Sequence, residues 1–245
     1  MFLSDDEQLA LLMRVPLFAR LNRSELEVVA AAARRQHVER DEFVFQQGSP
    51  ASDICILRAG RVRVTQVTPD GNQVLLRFIH PGQMFGGVAA FGLAEYPASA
   101  QAIEPSQVWL WNGKTMRELM QRMPQLALNA LDHTVETIQQ LQTRVRELQT
   151  ERVERRVARA VLRLARQSGK RVESGILIDL PLSRQDLAEM TGTNLYSVSR
   201  ILSGWEKQGL LEAGRERVVL REPHRLVVIA EDLPESRPAA SDSPS

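Results

Sequence analysis

The chain has 245 residues, 43% of them apolar and 25% charged, with a formal net charge of +1 and a single cysteine, Cys55. That length supports one large core or two modest ones, and the apolar share is not that of a disordered chain. One thiol excludes an internal disulfide framework and a four-cysteine iron–sulfur cluster, and the acidic opening MFLSDDEQLA, with no apolar run of about 18 residues, predicts a cytoplasmic protein without a membrane partner.

Charge is unevenly spread. Residues 1–150 carry 15 Lys and Arg against 16 Asp and Glu, whereas residues 151–230 carry 15 against 10 and residues 231–245 carry 1 against 4. A basic excess of this kind is attracted to a phosphate backbone by counterion release, although many domains reach the same balance without that use.

In chain order, residues 21–35 (LNRSELEVVAAAARR) predict a short helix capped by Asn22 or Ser24, with Leu26, Val29, Ala30 and Ala33 on one face. From Val38 to Trp111 the texture changes to short apolar runs broken by turns, EFVF, ICILRAG, RVRVTQV, QVLLRFI and QVWLWNG, which predict an all-β unit. Asp70-Gly71 is a hairpin signal, and Gly48, Gly60, Gly71 and Gly82 each fall at a break. By itself this texture fits any sandwich or barrel.

Beyond Thr115 the sequence turns helical, with Pro124 placed to start a long helix. Leu128, Leu131, Val135, Ile138, Leu141, Val145 and Leu148 then follow at gaps of 3, 4, 3, 3, 4 and 3. This is a coiled-coil seam with one stammer, expected to overwind near Ile138 and Leu141. The seam must in part face the β-unit. The Gln, Arg, Glu and Thr at most other positions favour a partner helix, most simply that of a second copy.

A further helix is predicted from Arg152 to Gln167, capped by Thr150 and stopped at Ser168-Gly169, and is followed by the apolar run ILIDLPL. Ser183-Arg184-Gln185-Asp186 reads as a capping box, Leu187, Ala188 and Met190 as an apolar face, and Gly192 as the sharp turn into a second helix capped by Asn194. In that second helix Val198, Ile201, Leu202 and Trp205 form the buried stripe. Tyr196, Ser199, Arg200 and Ser203 form an opposite face without Lys or Glu, built of side chains able to reach base edges. LLEAGRERVVL then predicts a strand, a Gly214-containing turn and a strand, that is, a wing whose Arg215 and Arg217 suit phosphate. The last fifteen residues, rich in Pro, Ser and Ala, are expected to be disordered.

The segment LSRQDLAEMTGTNLYSVSRILSGWEKQGLLE, together with GSPASDICILRAGRVRV and HPGQMFGG, resembles the cyclic-AMP receptor/fumarate-nitrate regulator (CRP/FNR) family over roughly residues 15–230. The resemblance implies an α+β chain in four parts. These are a cyclic-nucleotide-binding-type β-roll with an N-terminal helix (1–123), a dimerisation helix (124–151), a winged helix-turn-helix (152–230) and the tail (231–245). It implies a homodimer on a palindromic double-stranded DNA site, with RNA polymerase as a partner. By that match Arg200 takes the place of the arginine that contacts guanine, and Ser199 precedes it as in nitrate-type regulators. The glutamate usual four positions before the arginine is Tyr196 here, and TTG…CAA-like half-sites are expected. Ser183, Arg184, Gln185, Asn194, Ser197 and Ser203 complete the DNA-binding set.

The same comparison implies an effector pocket at Gly86, Gly87, Val88, Ala98, Ser99, Leu141 and Gln142. Members that bind cyclic nucleotides carry a glutamate and an arginine where this chain has Gly87 and Ala98, so cyclic AMP is not expected. The wording TGTNLYSVSRILSGWEKQGL and REPHRLVVIAEDLP is most similar to the nitrogen-oxide-responsive (NnrR/DNR-like) branch. That similarity implies nitric oxide sensing through haem, whose axial ligand would come from His37, His80, His133 or His224. An effector-independent regulator, or a β-roll adaptor module without DNA binding, remains open. With no metal-spaced His/Cys cluster, phosphate loop or nucleophile elbow, an enzyme is not expected.

Overall fold

The computed structural model describes residues 5–214 and 216–233. The chain divides into two compact units, Met1–Gln142 and Thr143–Ser245, and one long helix runs across the division. The expected boundaries at 123/124 and 151/152 lie at the two ends of that helix.

The first unit opens with α1 (Asp5–Leu12) and α2 (Arg23–Ala31). Asn22 caps α2 in a full capping box: its side chain accepts from the Glu25 amide at 3.0 Å and its own amide donates to Glu25 Oε2 at 2.8 Å. The helix stops at Ala31, short of the expected 35. Residues Arg34–Val38 instead form β1, because this polar segment pairs in register with an apolar strand, Arg34 against Leu110 and His37 against Gln107. Tertiary pairing here overrides the helical pattern.

There follow β2 (Phe43–Phe45), β3 (Asp53–Ala59), β4 (Val62–Val67), β5 (Gln73–Ile79), β6 (Met84–Phe85), β7 (Ser99–Ala102) and β8 (Ser106–Asn112). They make two four-stranded antiparallel sheets, β1-β8-β3-β6 and β2-β7-β4-β5. Between the sheets lies one apolar cluster that includes Cys55, Leu57, Val62, Val64, Phe85, Ala98, Ala100 and Leu110. On the outer side of the first sheet, a second cluster joins Trp109 and Trp111 to Leu12, Phe18, Leu26, Val29, Met116 and Leu126. Trp111 is fully buried, meets Phe18 edge to face at 5.4 Å and donates its indole N–H to Val29 O at 2.8 Å, so the largest core side chain is also satisfied.

After α3 (Gly113–Arg122), α4 (Pro124–Thr150) starts at the expected proline. Leu126 and Ala130 are buried, and Asn129 donates to the carbonyls of Leu17 and Ala19 at 2.9 and 2.7 Å. The seam residues face the other way: Leu128, Leu131, Val135, Ile138, Leu141, Val145 and Leu148 are each 45–58% exposed.

The second unit contains α5 (Val153–Ser168), a hairpin of β9 (Gly169–Val172) and β10 (Gly175–Ile178), α6 (Arg184–Thr191), α7 (Leu195–Lys207), β11 (Leu211–Gly214), β12 (Arg217–Leu220) and α8 (Pro223–Glu231). Its sheet has the order β11-β12-β10-β9. Thr150 is not the cap of α5. It ends α4, where its hydroxyl donates back to Arg146 O at 2.9 Å, and the N-cap position of α5 falls to Arg152 without a side-chain bond. Ser168-Gly169 does end α5, but the chain passes straight into β9, a polar strand held by pairing with β10.

The last turns of α4 are held by α5 arginines. The Glu147 side chain, 7% exposed, takes ion pairs from Arg159 at 3.4 Å and Arg163 at 3.1 Å, and Glu151 pairs with Arg155 at 2.7 Å. Arg156 donates to Thr191 O at 3.0 Å and Gly192 O at 3.3 Å, while Arg144 on α4 donates to Met190 O at 2.8 Å. Orphan carbonyls at the end of α6 are thereby satisfied. Among the described residues no helix is long and apolar enough to cross a membrane. Residues 234–245, most of the expected tail, lie outside the described residues.

Candidate functional site

The helix-turn-helix is built by local chemistry. The Ser183 hydroxyl accepts from the Asp186 amide at 3.0 Å, and the Asp186 carboxylate accepts the Ser183 amide at 2.8 Å. Ser183 is therefore the cap of α6, with its oxygen occupied by that task. Gly192 ends α6 at φ +61°, a left-handed conformation, and any Cβ there would stand 2.8 Å from Leu148 Cδ2. After Thr193, Asn194 caps α7 by accepting the Ser197 amide at 2.8 Å.

In α7, Val198, Leu202 and Trp205 are buried and Ile201 is half-buried. The Trp205 indole donates to Glu154 Oε1 at 3.0 Å, tying α7 to the first turn of α5. Tyr196 is 75% exposed, Arg200 is exposed, and Ser197, Ser199 and Ser203 are partly so. Arg200 does not stand squarely opposite the stripe. It borders an open groove of about 370 Å³ that it shares with Ser197, Ile201, Gly204, Trp205 and Gln208 of α7 and with Val153 and Glu154 of α5.

Two more elements frame α7. Glu206 accepts the Ala213 amide at 2.9 Å, seating the wing, and reaches Arg184 of α6 at 4.0 Å. Gln185 bonds Glu189 along α6 at 3.1 Å. Arg217 is exposed on β12, and the turn beside it passes through Glu216 at φ +54°. Arg215 lies outside the described residues. Glu154 and Glu206, which position α7, carried no sequence signal, because each acts through a contact distant in the chain.

In the first unit, Gly86 sits at φ +66° at the head of a short 3₁₀ turn, Gly87–Phe91. A Cβ at Gly86 would meet Phe45 Cε1 at 3.0 Å and Asp53 O at 3.2 Å. Phe45 stacks on Tyr96 with ring centroids 3.9 Å apart, and the Tyr96 hydroxyl accepts the Asp53 amide at 2.9 Å while donating to Asp53 O at 2.7 Å. Val88 is half-buried, Ala98 is buried on the inner face, and Ser99 Oγ accepts the Gln47 amide at 2.9 Å. Leu141 and Gln142 are exposed on α4. Neither Gly87 nor Ala98 offers a charge to a ligand.

The four histidines are scattered. His37 is exposed and bonded to Glu39 at 3.1 Å, and His224 is exposed on α8. His80 begins a turn closed by Gln83, and burial together with the nearby Arg61 holds its pKa down. His133, half-buried on α4, is likewise shifted down by burial and by Arg77, against an upward pull from Glu136. Among the described residues no cluster of three His, Cys, Asp or Glu is placed to hold a metal ion.

A cyclic nucleotide-binding domain model matches residues 35–123, and a Crp-like helix-turn-helix domain model matches residues 155–229. The chain is 26% identical over 215 residues to the cyclic AMP receptor protein of Thermus thermophilus, covering 88% of this chain and 96% of that one. It is 24% identical to the transcriptional activator protein anr of Pseudomonas aeruginosa, covering 80% of each. Among solved structures, FixK2 from Bradyrhizobium japonicum superposes with a TM-score of 0.70 at 26% identity, covering 80% of this chain and 96% of that one. A CRP-family regulator from Thermus thermophilus superposes at 0.68 and 28% with the same coverage. Two matched domains in this order, joined by one long helix and ending in a capped helix-turn-helix with its wing, place the chain in the CRP/FNR family of DNA-binding transcription regulators.

Proposed function

We propose that the chain acts as a homodimer on a two-fold symmetric double-stranded DNA site, with α4 as the pairing helix and α7 in the major groove of each half-site. The observation that carries this reading is α7 itself, in which Trp205 and Leu202 are buried while Tyr196 and Arg200 stand in solvent next to Ser199 and Ser203. Arg200 offers a planar fork to guanine O6 and N7, and Ser197, Asn194 and Arg217 suit phosphate. Pairing through α4 covers seven large apolar side chains that a lone chain leaves in water. RNA polymerase is the expected protein partner and the cytoplasm the expected compartment. The test is selection from a random double-stranded pool, which should enrich inverted repeats with TTG…CAA-like halves. Retention no better than that of a neutral protein of this size would identify a β-roll adaptor instead.

The effector of this regulator is not cyclic AMP, although that ligand names the Thermus relative. Gly87 and Ala98 leave a buried phosphate without a counter-charge. Low-micromolar cyclic AMP should leave the thermal midpoint unchanged, where a true ligand at a hundredfold excess over Kd adds about 2.7 kcal/mol. A second reading, nitric oxide sensing through haem and control of nitrogen-oxide metabolism, is favoured by His133. That imidazole is half-buried on α4 and held neutral by burial and by Arg77, as an axial ligand must be. A Soret band on haem addition that shifts with nitric oxide and is lost in His133→Ala supports it, and no band removes it.

A further inference from the structure

The β2-β7-β4-β5 sheet carries an arginine on its inner face. A register shift between Val64 and Thr65 sets this: Thr65 stands opposite Leu75 and Val64 opposite Arg77, so that Leu76 is the extra residue. Residues directly opposite in an antiparallel pair share a face. Val64 in turn stands opposite Ala100, which puts Arg77, Val64 and Ala100 in one row on the side of the cluster that holds Ala98 and Phe85. Because β5 is the edge strand, the Arg77 side chain keeps part of its surface open to solvent.

The α4 helix brings a second polar group to this edge. Leu126 and Ala130 are its buried stripe, and His133 continues that stripe, half-buried and close enough to Arg77 for the guanidinium charge to disfavour a charged imidazole. The carboxylate near His133 is that of the exposed Glu136, which makes no ion pair with Arg77. Arg77 has one polar partner among the described residues, the Met84 carbonyl at 3.3 Å, although a guanidinium carries five donors. Burial also holds its pKa below the usual value, the signature of a cation that has lost water without gaining a counter-charge. Such a group is stabilised by an anion that accepts the vacant donors in pairs.

We propose that Arg77 anchors an anion-binding site at the open edge of the β-roll, where a small oxyanion or carboxylate lies across the Arg77 guanidinium beside His133. The inference rests on the first unit being the sensory half of the regulator, and it names the chemical class of its effector. The anchor lies two strands from Ala98, so it does not rebuild a cyclic-nucleotide phosphate site.

The test uses the full-length protein at constant ionic strength, titrated with sodium acetate, nitrate and inorganic phosphate as separate arms, with thermal midpoint and calorimetry as readouts. At least one anion should give a saturable rise of a few degrees, lost in Arg77→Gln and weakened about tenfold or more in Arg77→Lys, which keeps the charge but not the fork. Both variants should keep the wild-type midpoint in the absence of anion and should still bind the DNA sites that the wild type selects. Three results would overturn the inference: no anion shifts the wild-type midpoint, the shift survives Arg77→Gln, or haem is found ligated by His133. Failure of the wild type to select any DNA sequence would strike the regulator reading instead and leave the anion titration to be judged by itself.

Discussion

The two units place their ligand chemistry differently with respect to their cores. In the second unit the residues that face DNA and those that hold the fold share one short helix: Asn194 caps α7, Trp205 and Leu202 bury its back, and Arg200 stands between them in sequence. In the first unit the stability lies in two apolar clusters centred on Trp111 and on Leu57, and the positions that would hold a nucleotide are Gly87 and Ala98, small side chains that the clusters do not depend on. A β-roll can therefore change its effector while its strands stay in place, whereas substitutions in α7 touch folding and recognition together.

The largest test of this contrast concerns pairing, on which the second unit relies and the interior of the first does not. Leu131→Glu combined with Val135→Glu should sediment as a monomer, with affinity for a symmetric site about 10²–10⁴-fold lower because each half-site is then bound alone. A persistent dimer would put the interface elsewhere. Next in size, Glu147→Gln removes the anionic centre of a mostly buried ion cluster and should cost about 3 kcal/mol in urea unfolding of the second unit. A loss below about 1 kcal/mol would mean that solvent screens the cluster as it does surface pairs.

Arg200→Ala should cost about 1–3 kcal/mol per half-site and relax preference at one base pair of each half, whereas Arg217→Ala should weaken all sequences alike and lower the salt slope by about one. Equal relative losses on specific and random DNA for Arg200→Ala would make it a phosphate contact. The smallest effect is that of Asn194→Ala, about 1 kcal/mol of stability with a matching loss on DNA, restored by Asn194→Ser. If DNA binding fell without any loss of stability, the coupling of fold and function in α7 would not hold.

The helix-turn-helix was legible residue by residue because its determinants are local: Ser183 with Asp186, Gly192, Asn194 and the 198/201/202/205 stripe all lie within one short segment. The seam of α4 was legible by its spacing. What was hidden is held by partners far away in sequence. β1 and β9 are polar strands that exist through pairing, and Thr150 bonds its own helix where a cap was expected. Arg77 faces inward only because one residue is inserted in β5, a shift that the run QVLLRFI does not announce. Glu147 was unremarkable among the polar positions of α4 until the α5 arginines closed on it.

The Glu147 cluster has a geometric consequence for the DNA that such a dimer selects. With the last two turns of α4 fastened to α5 and to the carbonyls that end α6, those turns move as one rigid body with α7. The distance between the two recognition helices of a dimer is then fixed by how the paired α4 helices cross, above all near the overwound stretch at Ile138 and Leu141. The number of base pairs between half-sites is in this sense written in side chains that never meet a base, and loosening Glu147 should blur the spacing of selected sites while leaving the half-site sequence intact.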